Sequence, residues 1–538
     1  MKYDVAENLR TTVLERSRRP RPDGVSSREN LRNLPETRKQ MTSPDGKLGE
    51  TVRSSTSRAV RWRSIDWKVA RREVRRLQMR IAKAVREGKQ GKVKSLQWIL
   101  THSFYAKALA VKRVTSNQGK NTPGVDGILW KTARVKRQAI HRLRQRGYKA
   151  QPLRRIYIPK KNGKQRPLSI PTMYDRAMQA LYKLALAPVA ETTADRNYYG
   201  FREGRSCHDA VATAFNALSK PNSATWVLEG DITGCFDNIS NAWLMANIPI
   251  EKRILRQWLR AGYVEKGIVF PTRDGTPQGG IISPTLANIT LDGLEAAVHA
   301  AVPRRSRVNF VRYADDFIIT GKSKTILEND VVPVVQRFLA QRGLQLSQEK
   351  TRITFIRHGF TFLGQSFRKH AQTLHITPAK QGVLALIRKV GTLIRKYVSA
   401  PISGLIKELN AVLRGWAHYH RHVVAAQTFR RVDTYVYEQL WRMLSKRHPH
   451  KSKTWLTKKY WKAAGKTGIF AVITRCKKTF KLYRVIRIAS IGIKRHRKIK
   501  ADANPYLPEY AMYFWMRRHV KEAKLLRELS ARQMRLAI

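Results

Sequence analysis

At 538 residues the chain is too long for one ordinary core and should divide into two to four domains, which a hydrophobic fraction of 42% is enough to pack. Its 106 Lys+Arg against 37 Asp+Glu leave a net charge of +69, so its surface requires a polyanionic partner, nucleic acid before anionic membrane. No apolar stretch reaches the ~18 residues of a membrane span and no signal peptide precedes the first polar segment. Cys207, Cys235 and Cys476 lie too far apart for a disulfide framework or a zinc site, and each reads as a packing residue in a reducing cytosol.

Residues 1–60 hold Arg-Pro, Ser and Asp-Gly clusters with little apolar periodicity, which predicts a mobile basic arm. From Trp62 onward Val69, Val74, Leu77, Ile81 and Val85, then Val93, Leu96, Trp98 and Leu100, fall at mainly helical spacing, predicting a helical pair within 61–150. Asn121 to Gly127 is a turn cluster. Arg155 to Ile158 and Leu168 to Ile170 then read as two strands of a hairpin whose connection carries Lys160, Lys161 and Lys164.

The next strand-like run, Trp226 to Gly230, ends at Asp231, with Phe236 five residues further at the start of a helix. Pro277-Gln278-Gly279-Gly280 is a loop entering a helical pattern through Leu286, Ile289 and Leu294. In the run Val311 to Ile319, Asp315 and Asp316 interrupt β-branched and aromatic residues, so two short buried strands should meet in a turn at Ala314-Asp315-Asp316. Paired carboxylates at such a tip cost desolvation and mutual repulsion unless a cation sits there. If both strands share a sheet, Asp231, Asp315 and Asp316 can converge on two Mg²⁺ ions.

After residue 376 a helical pattern runs through Leu384, Ile387, Val390, Leu393, Ile394 and Val398, and again through Leu405, Leu409, Leu413 and Trp416. Trp416, Tyr419, Tyr435, Tyr437 and Trp441 are expected mostly in its core. Residues 441–500 carry twenty Lys+Arg and no Asp or Glu, interleaved with aromatics, which predicts phosphate contact. Lys494, Arg495, Arg497 and Lys498 are its densest cluster.

With Tyr313-Ala314-Asp315-Asp316 at its centre, this pattern resembles the reverse transcriptases. The segments Arg155 to Leu168, Tyr199 to Ser206, Gly275 to Gly280 with Ser283-Pro284, Leu346 to Thr351 and Phe362 to Gly364 look like that family's blocks in their usual order. Leu409 to Tyr419 resembles the thumb, or maturase domain, of group II intron-encoded proteins, and the likeness runs from about 65 to 515.

The resemblance implies an α+β right-hand polymerase: fingers and palm over 151–375, a helical thumb over 376–450, and a basic nucleic-acid-binding region over 451–538. It also implies the roles. Asp231, Asp315 and Asp316 bind Mg²⁺, Lys160 and Arg166 grip the triphosphate, and Phe236 excludes a 2′-hydroxyl. Gln278 lies beside the nucleotide, Lys350 beside the leaving pyrophosphate, and Arg414 on the RNA-holding face. Partners would be intron RNA, an RNA template with DNA primer, dNTPs and target DNA, in a bacterial cytoplasm and on the nucleoid when bound to DNA. A splicing-only RNA-binding maturase and a stand-alone reverse transcriptase in defence or repair are the alternatives. Asn504 to Tyr510 looks like the entrance to an HNH endonuclease, yet no cysteine and only His519 follow, so cleavage of a second target strand is not expected.

Overall fold

The computed structural model describes residues 62–159, 163, 165–462, 468–476, 479–520 and 522. The arm expected at 1–60 and the hairpin lysines Lys160, Lys161 and Lys164 lie outside the described residues. Helix α1 (Trp67–Arg86) starts where the Asp66 side chain accepts the backbone N–H groups of Lys68 and Val69, and it buries Ala70, Val74, Leu77 and Ile81. After α2 (Gln90–His102) a third helix follows where a pair was expected: α3 (Phe104–Ser116). Its alanines, Ala106, Ala108 and Ala110, are buried. Such small side chains give a weak hydrophobic signal but let α3 pack against α4 (Met173–Thr193). Trp98, part of the apolar pattern, is 59% exposed.

Strands β1 (Leu153–Pro159) and β2 (Gln165–Ile170) form the expected antiparallel hairpin. With β4 (Tyr263–Glu265) and β5 (Ile268–Phe270) they make a sheet of order β2-β1-β4-β5. A second sheet joins β3 (Trp226–Gly230), β6 (Asn309–Tyr313), β7 (Asp316–Gly321) and β8 (Arg352–Phe355) in the order β6-β7-β3-β8, all antiparallel. Side chains alternate across it. Leu228, Phe310, Phe317 and Ile319 enter one core with the N-terminal helices, whereas Val227, Val311 and Ile318 enter another with the helices after residue 379. The acid-bearing sheet is therefore clamped between two cores.

A three-stranded meander, β9 (Phe360–Phe362), β10 (Gln365–His370) and β11 (Thr373–Pro378), leads into α5 (Lys380–Lys396), α6 (Ile402–His420) and α7 (Ala426–Arg447). Trp416, Tyr435 and Trp441 pack against their core, and the half-buried Tyr419 donates its hydroxyl to the Leu363 carbonyl at 2.7 Å, but Tyr437, expected in the core, is 51% exposed. It lies edge-on to the stacked pair Trp441 and Trp461. A small sheet of β12 (Trp461–Lys462), β13 (Ile469–Cys476) and β14 (Thr479–Arg484) follows. From there the chain returns to the N-terminal half. Asp209, wholly buried, accepts from His496 Nε2 at 2.8 Å, the Ile499 backbone N–H at 2.8 Å and Arg517 Nη2 at 3.2 Å.

Candidate active site

Register explains why the acids meet. Trp226 pairs with Gly321 and Gly230 with Phe317, so continuing that ladder by one residue brings Asp231 level with Asp316. A Cβ on Gly230 would lie 2.2 Å from the Phe317 ring, so the close β3–β7 approach just before Asp231 requires glycine. Tyr313 pairs with Asp316, leaving Ala314 and Asp315 as the turn, and Ala314 takes a left-handed backbone at φ +59°.

A non-glycine residue held at such an angle needs support from its surroundings. The Tyr199 backbone N–H donates to the Arg312 carbonyl at 2.9 Å, and the Arg312 N–H donates to the Asn197 carbonyl at 3.0 Å. Gly200 then lies against the turn so closely that a Cβ would sit 2.2 Å from the Ala314 nitrogen. Arg312 completes the support from inside the fold. Its side chain is fully buried, its Nη2 donates to Asp292 Oδ1 at 2.8 Å, and its guanidinium lies 3.7 Å above the Tyr198 ring. Burial pushes the Asp292 carboxyl up to about 7 despite that guanidinium.

Asp292 is available because the expected helix through Leu294 stops at Leu291 and resumes at Leu294, Asp292 and Gly293 between them leaving helical geometry. Sequence reading missed Arg312 and Asp292. The available signal was an arginine inside an apolar strand, which must find a buried anion.

Burial raises the carboxyls of Asp315 and Asp316, Asp316 to about 6, with Asp315 and Asp231 adding repulsion. Asp316 nevertheless opens to the cleft. Lys350 Nζ lies 2.5 Å from Asp231 Oδ2, and that hydrogen bond raises the lysine. The loop carrying it is fixed to the end of β3, where the Ser347 N–H donates to the Asp231 carbonyl at 2.8 Å. Among the described residues no three acidic, histidine or cysteine side chains close into a metal-holding set. The donor chemistry still suits a hard divalent cation: three carboxylates, no nitrogen or sulfur, and a mutual repulsion that a cation would relieve.

A cleft of about 510 Å³ adjoins the turn, lined by Arg166, Phe236, Gln278, Gly279, Asp315 and Asp316 among others. Arg166 Nε donates to Gln278 Oε1 at 2.6 Å, and Gln278 Nε2 donates to Asp237 Oδ2 at 2.7 Å. The β1–β2 hairpin is thereby tied across the cleft to the helix Cys235–Asn238 that carries Phe236. Phe236 is half-buried, with its backbone carbonyl held by the Thr276 N–H at 2.6 Å. Lys160 lies outside the described residues.

The remaining cations lie elsewhere. Arg414 is exposed on α6, and Lys494, Arg495 and Arg497 are exposed on the segment after β14, with Lys498 half-buried. Their backbone is fastened by the Lys494 N–H to the Arg421 carbonyl at 2.8 Å and by Arg517 Nη1 to the Arg497 carbonyl at 2.7 Å.

An antiparallel sheet with two acids at a hairpin tip facing a cleft that an arginine also lines, and a third acid at the end of the neighbouring strand, is the frame of a nucleic-acid polymerase, and the family models give its class as reverse transcriptase. Three family models match in chain order: the N-terminal domain of reverse transcriptase at 62–151, reverse transcriptase (RNA-dependent DNA polymerase) at 158–367, and the group II intron maturase-specific domain at 383–461. The chain is 32% identical over 303 residues to protein YkfC of Escherichia coli, covering 48% of this chain and 78% of that one. It is 31% identical over 331 residues to the group II intron-encoded protein LtrA of Lactococcus lactis subsp. cremoris, covering 48% of this chain and 54% of LtrA. An uncharacterized 91 kDa protein in a cob intron of Schizosaccharomyces pombe is 25% identical over 416 residues, with 61% and 50% covered. The chain thus spans about half the length of the last two relatives. Telomerase from Candida albicans, in complex with telomeric RNA, aligns with a TM-score of 0.34 at 11% identity over 56% of this chain and 60% of that one, a likeness too remote to bear on function. The chain belongs to the group II intron-encoded reverse transcriptase/maturases, and its enzymatic class is RNA-directed DNA polymerase.

Proposed function

We propose that the protein copies RNA into DNA by attack of a primer 3′-hydroxyl on the α-phosphate of a dNTP, and that it also clamps group II intron RNA in a splicing-competent form. The observation that carries this is the register that brings Asp231 level with Asp316 beside the Ala314–Asp315 turn, with Asp315, Asp316 and Arg166 lining one cleft. In this reading the β1–β2 hairpin belongs to the fingers, the β6-β7-β3-β8 sheet to the palm and α5–α7 to the thumb. Asp231, Asp315 and Asp316 would hold two Mg²⁺ ions, which supply charge neutralisation to the phosphoryl group.

The protein's own groups do the positioning. Arg166, released from Gln278, reaches phosphate oxygens as a charged fork, and Lys160 is assigned to the same triphosphate. Gln278 then faces the nucleotide, and Lys350 leaves Asp231 for the departing pyrophosphate. Arg414 and the cluster Lys494, Arg495, Arg497 and Lys498 contact intron RNA or target DNA. Among the described residues no helix is long and apolar enough to cross a membrane, and we assign the protein to a bacterial cytoplasm, on the nucleoid when bound to DNA. Primer extension on an RNA template, with and without Mg²⁺, tests the reading. Absence of a metal-dependent DNA product defeats it.

Phe236 checks the sugar in this scheme. Phe236→Ala and Phe236→Val should raise the ratio of rNTP to dNTP incorporation by about 10-fold or more, because the bulk that meets a 2′-hydroxyl is gone. The ratio is the readout, since deleting a half-buried ring also lowers stability. An unchanged ratio in folded protein returns Phe236 to a packing role.

The cationic cluster makes a second expectation. Each duplex phosphate neutralised contributes roughly 0.9 to the slope of log affinity against log salt. Alanines at Lys494, Arg495, Arg497 and Lys498 should make that slope shallower by about 2 to 3 units if most of them touch phosphate. Titration by filter binding at several salt concentrations measures it. A slope that does not move shows the cluster is only solvated.

A further inference from the structure

The ribbon β13–β14 follows the maturase-specific domain, and its base is anchored to it. Asn410 on α6 donates its side-chain N–H to the Arg484 carbonyl at 2.8 Å and accepts the Ile486 N–H at 2.9 Å. Val472 and Tyr483, directly opposite each other, pack against the helical core. Beyond them the strands stand clear. Ile473 pairs with Leu482 and Arg475 with Phe480, so these four side chains share one face. Ile473 is 60%, Leu482 56% and Phe480 76% exposed.

Large apolar side chains this exposed on a ribbon cost solvation and invite association. The sequence around them says what covers them. Between Glu438 and Asp502 there is no acidic residue, and Arg475, Lys481 and Arg484 lie on the two strands themselves. Arg475 and Arg484 share the face of Phe480 and Leu482, whereas Lys481 opposes Thr474 on the other side. A face that is apolar in the middle and cationic at its ends matches a strand whose bases are unstacked and whose phosphates lie alongside. RNA presents such bases in loops and bulges, and the ribbon continues the maturase domain. Fully paired duplex offers its phosphates but no free base face.

We propose that this ribbon reads unpaired bases of folded RNA, with Phe480 stacking on a base, Ile473 and Leu482 flanking it, and Arg475 and Arg484, on the same face, contacting the adjoining phosphates. The proposal rests on the nucleic-acid-binding role given above to the basic region. It assigns to that region a base-contacting surface as well as a charged one.

The test uses the full chain and three probes of equal length: an RNA stem with a single-stranded loop carrying 2-aminopurine, a fully paired RNA duplex, and the loop sequence as single-stranded DNA. Phe480→Ala should weaken loop-RNA binding about 5- to 150-fold, the range for losing one base stack, and abolish the stacking change in 2-aminopurine emission. Phe480→Trp should retain both. Duplex affinity and its salt slope should be the same in all three proteins. Equal loop-RNA affinity in Phe480→Ala and the parent overturns the proposal, as does an equal loss on the duplex. Preference for the single-stranded DNA probe, or capture of an acidic protein in place of RNA, also overturns it. Failure of the underlying reading looks different: the parent would then bind none of the probes with a salt-dependent slope.

Discussion

Asp315→Asn, or Asp316→Asn, should abolish DNA synthesis on an RNA template, by about 1,000-fold or more, while RNA affinity stays within about twofold of the parent. The first half follows from charge. Burial and neighbouring carboxylates, Asp231 for Asp315 and both of these for Asp316, already raise the two carboxyls, so a bound cation would be favoured there, and an amide withdraws the anion that would hold it. Losing several kcal/mol of charge stabilisation at the reacting phosphoryl group corresponds to three or more decades in rate. The second half follows from number. RNA binding draws on a surface set by 106 Lys+Arg, and neither acid belongs to it. Primer extension and filter binding on the same preparations separate the two. Near-normal extension by either variant removes these acids from the site, and a large loss of RNA affinity means the turn is holding the fold together.

How much of this was legible beforehand depends on how local the cause is. The acids could be read because each breaks an apolar run of strand length, and a carboxylate there has few physical excuses. The β1–β2 hairpin was legible for the same reason, two β-rich runs around a lysine-rich turn. What escaped were features set by packing between distant segments. Gly293 marks a break beside Asp292, but nothing near it says that the freed carboxyl will reach Arg312, 20 residues later. Nothing near Gly200 says that the Ala314 nitrogen will lie against it. Tyr437 and Trp98 carry the same apolar signal as their buried neighbours, and only the tertiary arrangement leaves them exposed.

Arg312→Met should destabilise the protein by about 3 kcal/mol, at the lower end of the range for removing one partner of a buried ion pair. The cost stays at that low end because Asp292 has an escape. Its carboxyl is already pushed to about 7, and without the guanidinium it takes up a proton instead of remaining a bare buried anion. A folded-state carboxyl raised above its unfolded value binds more protons folded than unfolded, so stability falls as pH rises through that interval. The deficit of Arg312→Met against the parent should therefore be larger at pH 8 than at pH 5.5. Denaturant midpoints at the two values measure it. Arg312→Met with Asp292→Leu should recover most of the stability and lose the extra pH dependence, since an apolar pair of similar volume is near neutral in place of a buried salt bridge. Synthesis should recover less than stability does. Arg312 also supports the turn through the Tyr198 ring at 3.7 Å and the Ala314 carbonyl at 3.4 Å, and neither a methionine nor a leucine replaces those contacts. If the single variant keeps its midpoint, or if the double variant restores synthesis as fully as stability, then Arg312 serves the fold alone and the acids are positioned without it.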